Sequence, residues 1–514
     1  MSLGGFGVLN ILVGTSAYDM RIIFHIVLLW CCCLLCACGS KEDVDIVPGE
    51  LYRLSTTRED GFARFEHTDN QWTAVFYMDE DELMAVKSTY RLKTGSDLAL
   101  IDYDGNEIPV ISYSRYEAPE FKDLPETKTY TDSVYSVSVK KEVWYASAMG
   151  YWASYPDTGG TYMEIFNAKK DELDQGEKEL DLTMDVYLPD DDKSCPRPLL
   201  VLIHGGAFFN GDKNDPGFPA WARYFASLGY VVATVNYRLG FRKSLASVNR
   251  AGFRGVQDVD AAIRYIIHNN DTYAVDPNRV FVAGTSAGGI TALNVAFMRD
   301  ENIPSDAKEE GSVKAINPDM QESYSIRAVG NMWGAVNDLS ILDNAPTAVI
   351  SFHSMGDPVV PFGKGHPFES IFINWLIFPT MYGSDEITAH IGYDRAALHS
   401  YNLPDKHTLH VGKDDDGNIV LDSLFYKIET QMRDFFSSRM LVSPALYLHK
   451  NKTQTFEVVS TDVDSLFWSV KGGVIQKQEG NSINVLMFPD EGSHSVTVCG
   501  KYKSGLTFRN EWKL

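Results

Sequence analysis

Apolar runs and glycine-rich turns alternate through the middle of this 514-residue chain. Almost continuous apolar runs, as in strands that are buried on both faces of a sheet, lie at residues 199–203, 230–235 and 279–283. Residues 258–267 instead carry apolar side chains at helical spacing. Strands that alternate with helices predict an α/β domain whose central sheet is mostly parallel and covered by helices on both faces.

Different patterns flank this segment. Residues 51–136 and 443–514 contain short runs of alternating apolar and polar residues between turn signals. We predict a β-rich module of unknown role at 51–136, the α/β domain at 137–442, and a β-sandwich at 443–514. Residues 137–190 are expected to supply the first, antiparallel strands of the α/β sheet. The C-terminal pattern resembles the PKD or immunoglobulin-like modules of bacterial surface enzymes, for which about 70 residues suffice.

The first 38 residues have the features of an export signal. Arg21 precedes an almost wholly apolar run, Ile22 to Leu35, which is short for a membrane-spanning helix. The stretch 35–39 resembles a bacterial lipobox in which Cys38 is lipidated, and the acidic residues after it resemble the surface-export signal of Bacteroidetes-type lipoproteins. The resemblance implies a surface-exposed outer-membrane lipoprotein on a tether at 39–50. An uncleaved membrane helix is the alternative.

Charge and cysteine content narrow the function classes. A formal net charge of −23 disfavours nucleic acid or an anionic membrane surface as a partner. Five of the seven cysteines lie between residues 31 and 38, and only Cys195 and Cys499 lie elsewhere. This distribution indicates neither a disulfide framework nor a metal site.

Two glycine-rich motifs follow predicted strands and indicate acyl-transfer chemistry. His204-Gly205-Gly206 comes directly after the strand at 199–203, and Gly284-Thr285-Ser286-Ala287-Gly288 leads from the strand at 279–283 into a helical pattern. A serine on a sharp strand-to-helix turn exposes its hydroxyl above the sheet. A glycine loop at the end of a neighbouring strand supplies N–H groups for an oxyanion.

With these motifs, residues 137–440 resemble the α/β-hydrolase superfamily, close to its carboxylesterase and lipase members. The resemblance implies a serine hydrolase that acts on carboxylic ester bonds and needs no metal or organic cofactor. It makes Ser286 the nucleophile. It places the oxyanion hole at the N–H groups of Ala287 and of Gly205 or Gly206, and it gives His204 a structural role.

The acid of the triad is expected at Asp357. In this fold the triad follows the chain order Ser, Asp, His. The strand at 348–353 leads into Gly356-Asp357-Pro358, which closely resembles the acid loop of the family. Asp338, which also follows a predicted strand, is the alternative.

The base is expected on the loop between the last strand, 397–401, and the last helix, 422–438. That loop contains His407 and His410. The family usually uses the first histidine of such a pair, which favours His407, although the glycine that commonly precedes it is missing here.

The substrate is less well defined by the sequence. A tethered esterase with a β-module suits acyl groups on dietary or host polysaccharide. The alternatives are a serine peptidase of the same fold and a non-catalytic glycan-binding lipoprotein. The aromatic-rich insertion at 362–383 is either a lid or acyl-pocket wall, or a packed pair of surface helices.

Overall fold

The computed structural model describes residues 46–80, 84–94, 97–127, 130–156, 160–190, 196–371, 373–444, 448–449, 452–489 and 492–514. The expected signal segment, with Cys38, and the tether up to residue 45 lie outside the described residues. The chain divides into two compact units. The first contains the described residues up to Met78 together with Lys87–Tyr116, and the second contains Asp79–Val86 and Glu117–Leu514.

The first unit is a closed antiparallel barrel in which the last strand pairs with the first. Its strands are β1 (Leu51–Thr56), β2 (Asp60–Thr68), β3 (Gln71–Glu80), β4 (Met84–Lys93), β5 (Ala99–Ile101) and β6 (Glu107–Arg115). Tyr52, Phe65 and Phe76 fill its interior. Closure leaves no strand edge unpaired, and the barrel ends at β6, about twenty residues before the expected module boundary at 136.

The second unit contains an eight-stranded sheet of order β16-β13-β12-β11-β9-β10-β8-β7. The strands from β7 to β18 are β7 (Val137–Gly150), β8 (Lys178–Pro189), β9 (Arg197–Ile203), β10 (Val231–Val235), β11 (Val275–Thr285), β12 (Ile326–Met332), β13 (Ala348–Gly356), β14 (Lys364–Gly365), β15 (Met381–Tyr382), β16 (Ala396–Pro404), β17 (Val411–Lys413) and β18 (Ile419–Leu421). β14–β15 and β17–β18 form separate short hairpins.

Nine α-helices lie in the described part of this unit. They are α1 (Tyr162–Ala168), α2 (Lys170–Gln175), α3 (Phe218–Ser227), α4 (Leu245–His268), α5 (Asn270–Tyr273), α6 (Ala287–Phe297), α7 (Asn374–Ile377), α8 (Ser384–Ile391) and α9 (Ser423–Ser438). No helix in the described ranges is long and apolar enough to cross a membrane.

The sheet confirms the expected α/β architecture. Strands β10, β9, β11, β12, β13 and β16 are parallel, whereas β7 and β8 are antiparallel additions at one edge. Every residue of β9 is buried, because parallel sheets have helices on both faces. The carboxyl ends of β9, β11 and β13 therefore meet at one edge of the sheet, where the predicted site residues follow them.

The C-terminal segment forms two further antiparallel sheets. The strands are β19 (Val442–Pro444), β20 (Thr453–Val458), β21 (Val463–Lys471), β22 (Gly473–Glu479), β23 (Ser482–Met487), β24 (Ser495–Tyr502) and β25 (Thr507–Lys513). One sheet has the order β19-β20-β23-β22 and the other β21-β24-β25. Their buried residues, such as Phe456 and Trp468, join the same apolar core as Phe436 of α9.

The segment after the barrel packs along the second unit. The N–H of Thr127 donates to the carbonyl of Thr507 in β25 at 3.0 Å, and the N–H of Tyr130 donates to the carbonyl of Leu228 at 2.8 Å. Tyr130 is also buried in the core that the α/β domain shares with the C-terminal sheets. Residues 117–136 therefore belong to this unit, because their polar and apolar partners both lie there.

Candidate active site

Ser286 lies at the junction between β11 and α6, with its backbone in a strained conformation. Its φ is 54° and its ψ is −118°, which few residues other than glycine adopt. Two hydrogen bonds hold the turn: the N–H of Ser286 donates to the carbonyl of Met332 at 2.8 Å, and its carbonyl accepts from the N–H of Ile290 at 2.9 Å. Strain of this kind persists only where surrounding structure enforces it, and it is concentrated at functional sites.

The two outer glycines of the motif are required by close packing. A Cβ on Gly284 would lie 2.3 Å from the carbonyl oxygen of Gly288, and one on Gly288 would lie 2.1 Å from the carbonyl oxygen of Ile203 in β9. The elbow thus sits directly against the strand that leads into the His-Gly-Gly loop. This contact brings the two sequence motifs together.

Ser286, His407 and Asp357 form one hydrogen-bonded chain. The Oγ of Ser286 lies 2.8 Å from Nε2 of His407, and Nδ1 of His407 lies 2.7 Å from Oδ2 of Asp357. All three side chains are buried or nearly so. The structure brings the sequence-predicted nucleophile, base and acid into the geometry that this chemistry requires, across 121 residues between Ser286 and His407.

Asp357 accepts hydrogen bonds at both carboxylate oxygens. Its Oδ1 accepts from the N–H groups of Val359 and Val360 at 2.8 and 3.1 Å. Burial raises the pKa of Asp357, but hydrogen bonds from His353 and His407 outweigh it and bring the pKa down to about 2. The carboxylate is therefore ionised at neutral pH and can hold the imidazole of His407 in one orientation.

Sequence reasoning missed the second histidine at Asp357. Nε2 of His353 lies 3.2 Å from Oδ2 of Asp357, and the His353 side chain is completely buried. A signal was present in the sequence: His353 ends the apolar run 348–352, four residues before Asp357. Nothing in a strand pattern, however, shows that the chain after β13 folds back onto this side chain.

The alternative acid and base have other partners. The ring of His410 stacks against Trp221 and Trp333 at centroid distances of 5.3 and 5.4 Å. Burial lowers the pKa of His410 to about 4, so its ring is neutral. The carboxylate of Asp338 accepts from the N–H of Ser340 at 2.9 Å and caps a short helical turn. Neither group forms a hydrogen bond with Ser286 or His407 among the described residues.

The loop after β9 brings backbone N–H groups towards Ser286. A Cβ on Gly205 would lie 3.3 Å from Cβ of Ser286, and Gly205 and Gly206 line the same cavity as Ser286. Ala287 is the first residue of α6, so its N–H has no partner within the helix. The positive end of the helix dipole therefore also points at this position.

His204 supports this loop from below. Its ring stacks on Tyr237 at a centroid distance of 4.5 Å, and the hydroxyl of Tyr237 donates to the carbonyl of His204 at 2.9 Å. Burial lowers the pKa of His204 to about 4. Nδ1 of the neutral ring lies 2.9 Å from the carbonyl oxygen of Gly205, so the ring is tied to the backbone of the loop.

Two cavities of different chemistry meet at Ser286. The first has a volume of about 100 Å³ and apolar walls that come from Phe208, from one side of α4 including Phe253, and from Phe368 and Phe378. The second has a volume of about 240 Å³ and a mixed lining, in which the polar side chains of Asn210, Asp215, His407, Thr408 and His410 lie beside apolar ones such as Phe218, Trp333 and Ile419. His407 lines the second cavity only.

The insertion at 362–383 forms one wall of the apolar cavity. Phe368 and Phe378 face each other at a ring-centroid distance of 4.9 Å, and both line the cavity. The backbone of Phe378 is held by the carbonyl of Asn374 and by Nδ1 of His366. Between these two phenylalanines, Trp375 of α7 is 59% exposed. The insertion is thus a pocket wall with an apolar outer surface.

Comparisons with known proteins show that part of the chain is similar in sequence to esterases. A family model described as BD-FAE matches residues 184–358. Gut esterase 1 of Caenorhabditis elegans is 36% identical over 118 residues, which cover 23% of this chain and 21% of that protein. Para-nitrobenzyl esterase of Bacillus subtilis is 36% identical over 121 residues, or 23% of this chain and 24% of that protein.

The apo form of Thermogutta terrifontis esterase 2 aligns with 50% of this chain and 88% of its own, at 19% identity and a TM-score of 0.33. The chain spans less than a quarter of the length of the two curated relatives named above. The segment matched by the family model includes β9 with the His-Gly-Gly loop, the elbow at Ser286, and Asp357. The chain is thus similar to the BD-FAE family over residues 184–358 and to curated esterases over 118 to 121 residues.

Proposed function

We propose that this protein is a serine esterase that hydrolyses carboxylic esters through an acyl-enzyme. The observation that carries the proposal is the continuous chain from Oγ of Ser286 through His407 to ionised Asp357. A serine hydroxyl is a poor nucleophile at neutral pH unless a base takes its proton. His407 is within hydrogen-bond reach of that proton, and Asp357 holds its ring in the required orientation.

The reaction follows from this geometry. His407 Nε2 takes the proton of Ser286 as Oγ attacks the ester carbonyl, and the N–H groups of Ala287 and of Gly205 or Gly206 hold the resulting oxyanion. The bond to the alcohol oxygen then breaks, and His407 gives that oxygen its proton. Water attacks the acyl-enzyme in the second half, with His407 taking the proton from water and returning it to Ser286.

The position of His407 indicates which part of the ester enters each cavity. The leaving oxygen must be near Nε2 of His407 to receive its proton, so the alcohol lies in the cavity that His407 lines. That cavity has the more polar lining of the two. The acyl group then extends into the apolar cavity bounded by Phe368 and Phe378. An apolar acyl group on a polar alcohol, such as a sugar hydroxyl, fits this arrangement and supports a polysaccharide ester as substrate.

The appended modules and the anchor belong to the same proposal. The strand orders β19-β20-β23-β22 and β21-β24-β25 correspond to the two sheets of a seven-stranded immunoglobulin-type sandwich, which supports the expected PKD or immunoglobulin-like identity. We infer display on the outer membrane through lipidation of Cys38. Cys38→Ser is expected to release the protein or to stall its processing. Mass spectrometry of a mature N terminus that is unmodified at Cys38 would contradict the anchor.

Hydrolysis by the purified protein tests the function directly. Wild type is expected to cleave p-nitrophenyl esters and acetylated xylan and to react stoichiometrically with a fluorophosphonate at Ser286. Ser286→Ala should fold normally, lose the label and lose several orders of magnitude in turnover. Ser340→Ala, at an exposed serine that lines neither cavity at Ser286, is the matched control. Faster cleavage of p-nitroanilides than of esters would favour the peptidase alternative. The absence of both labelling and turnover would favour the glycan-binding alternative.

A further inference from the structure

A second histidine, His353, contacts Asp357 and is completely buried. It is the sixth residue of β13, and its Nε2 lies 3.2 Å from Oδ2 of Asp357 and 3.1 Å from the carbonyl oxygen of Val360. Oδ2 is the same oxygen that receives Nδ1 of His407 at 2.7 Å. One carboxylate oxygen is therefore shared by two imidazole rings.

The partners of His353 define its proton. A carboxylate and a carbonyl are both acceptors, so Nε2 must carry the hydrogen. Nδ1 lies 2.8 Å from Oγ of Ser384, the first residue of α8. That hydroxyl also accepts from Nδ2 of Asn331 at 3.2 Å. Groups from β12 and α8 thus hold the ring of His353 at Nδ1, with Nε2 as a donor on its other side.

The consequence for Asp357 is that both carboxylate oxygens are contacted. Oδ1 accepts from the N–H groups of Val359 and Val360, and Oδ2 accepts from Nδ1 of His407. Nε2 of His353, which donates to the carbonyl of Val360, also lies 3.2 Å from Oδ2. Rotation of the carboxylate about its Cβ–Cγ bond would break these contacts. Without His353, only His407 would contact Oδ2. The carboxylate of Asp357 would then move together with the imidazole of His407 instead of holding it in place.

We propose that His353 is a positioning residue for the catalytic acid. Together with Ser384 and Asn331 it fixes the carboxylate of Asp357, so that His407 is held in line with Ser286. The inference rests on the proposed function. It concerns the orientation of the base and not the binding of the ester, because His353 lines neither of the two cavities at Ser286.

Two substitutions separate positioning from packing. His353→Leu keeps an apolar volume but removes both ring nitrogens, and we expect kcat to fall by about 10- to 100-fold while KM changes little, since a small misplacement of the base is enough for such a loss. His353→Gln retains an N–H donor at the Nε2 position and should recover most of the lost kcat. A residue that only packs would not show this rescue.

The matched control is His399→Leu. His399 lies on the adjacent strand β16, its ring stacks on Phe352 at 5.3 Å, and it does not contact Asp357. His399→Leu should leave kcat within about twofold of wild type, as expected for a site outside the contacts among Asp357, His353 and Ser384. If His353→Leu does not fold, Ser384→Ala is the second variant. It removes only the hydroxyl that orients His353, and an intermediate fall in kcat is expected.

Several outcomes overturn the inference. A folded His353→Leu with wild-type kcat would do so. So would His353→Gln with a kcat as low as that of His353→Leu, or Ser384→Ala with the kcat of His399→Leu. In each case loss of turnover in Ser286→Ala would leave the proposed function standing. If wild type and Ser286→Ala are equally inactive on esters, the proposed function fails instead.

Discussion

Replacement of Phe378 by alanine tests whether the apolar cavity holds the acyl group. Phe378 lines this cavity and packs against Phe368 at a ring-centroid distance of 4.9 Å. Its backbone is anchored by Asn374 and His366. The backbone of the insertion should therefore stay in place when the ring of Phe378 is removed. The space that the ring occupied should then become available to the substrate.

The magnitude follows from the area of apolar surface that a longer acyl chain buries. Each methylene group moved from water into an apolar site contributes about 0.8 kcal/mol, which is about fourfold in kcat/KM. The space left by a phenyl ring accommodates roughly three methylene groups, or ~2.4 kcal/mol in total. Phe378→Ala should therefore raise the ratio of kcat/KM for octanoate to that for acetate by about 60-fold at most and by tenfold if packing is incomplete.

The assay is hydrolysis of p-nitrophenyl esters of increasing acyl length, with the alcohol held constant. Trp375→Ala is the matched control, because this aromatic residue belongs to the same insertion but is 59% exposed and does not line the cavity. An unchanged chain-length profile in a folded Phe378→Ala protein would refute the assignment of this cavity to the acyl group. A broadened profile in Trp375→Ala alone would place the acyl chain on the outer surface of the insertion.

Three further predictions concern the residues around the nucleophile. His407→Ala should lower kcat by several orders of magnitude while His410→Ala costs activity mainly through lost packing; initial rates rank the two, and the reverse order would make His410 the base. Burial lowers the pKa of His204 and of His410 to about 4, so on acidification the unfolded chain binds protons before the folded chain does. The free energy of unfolding should therefore fall as pH drops from about 6.5 to 4, by up to ~1.4 kcal/mol per pH unit for each histidine. Equal unfolding temperatures at about pH 7 and pH 5 would contradict this. Gly288→Ala should destabilise the elbow and abolish turnover, since its Cβ would lie 2.1 Å from a carbonyl oxygen. Gly492→Ala, whose Cβ would have no heavy atom within 4 Å, should be tolerated in the same thermal-unfolding and rate measurements.

Local chemistry was readable from the sequence where one segment carries the whole signal. The run 199–203 is apolar throughout, which specifies a strand buried on both faces, and β9 has this environment. The elbow motif needs a strand, a strained serine and small neighbours within a few residues, so Ser286 could be singled out without a structure. Asp357 could be chosen because its loop has a recognisable local form.

Other features depend on contacts between segments that are distant in sequence. His407 and His410 are three residues apart on one loop, and no pattern in that loop separates a ring that reaches Ser286 from one that stacks between Trp221 and Trp333. The side chain of His353 looks like the end of an ordinary strand until the following loop brings Asp357 to it. Such pairs are defined by how strands and loops pack, which a one-dimensional pattern does not contain.

The module boundaries also depend partly on local sequence patterns and partly on contacts between distant segments. Alternating apolar and polar residues predicted β-structure at 51–136, but hydrogen bonds between β1 and β6 close the barrel at Arg115. The residues that follow pack elsewhere because their partners, Leu228 and Thr507, lie on the second unit. The sequence by itself therefore determined the α/β architecture and the chemistry of the nucleophile, since periodicity and turn residues act locally. Only the tertiary structure decided which histidines meet Asp357 and which side chains bound the acyl cavity, since those contacts join segments that are far apart along the chain.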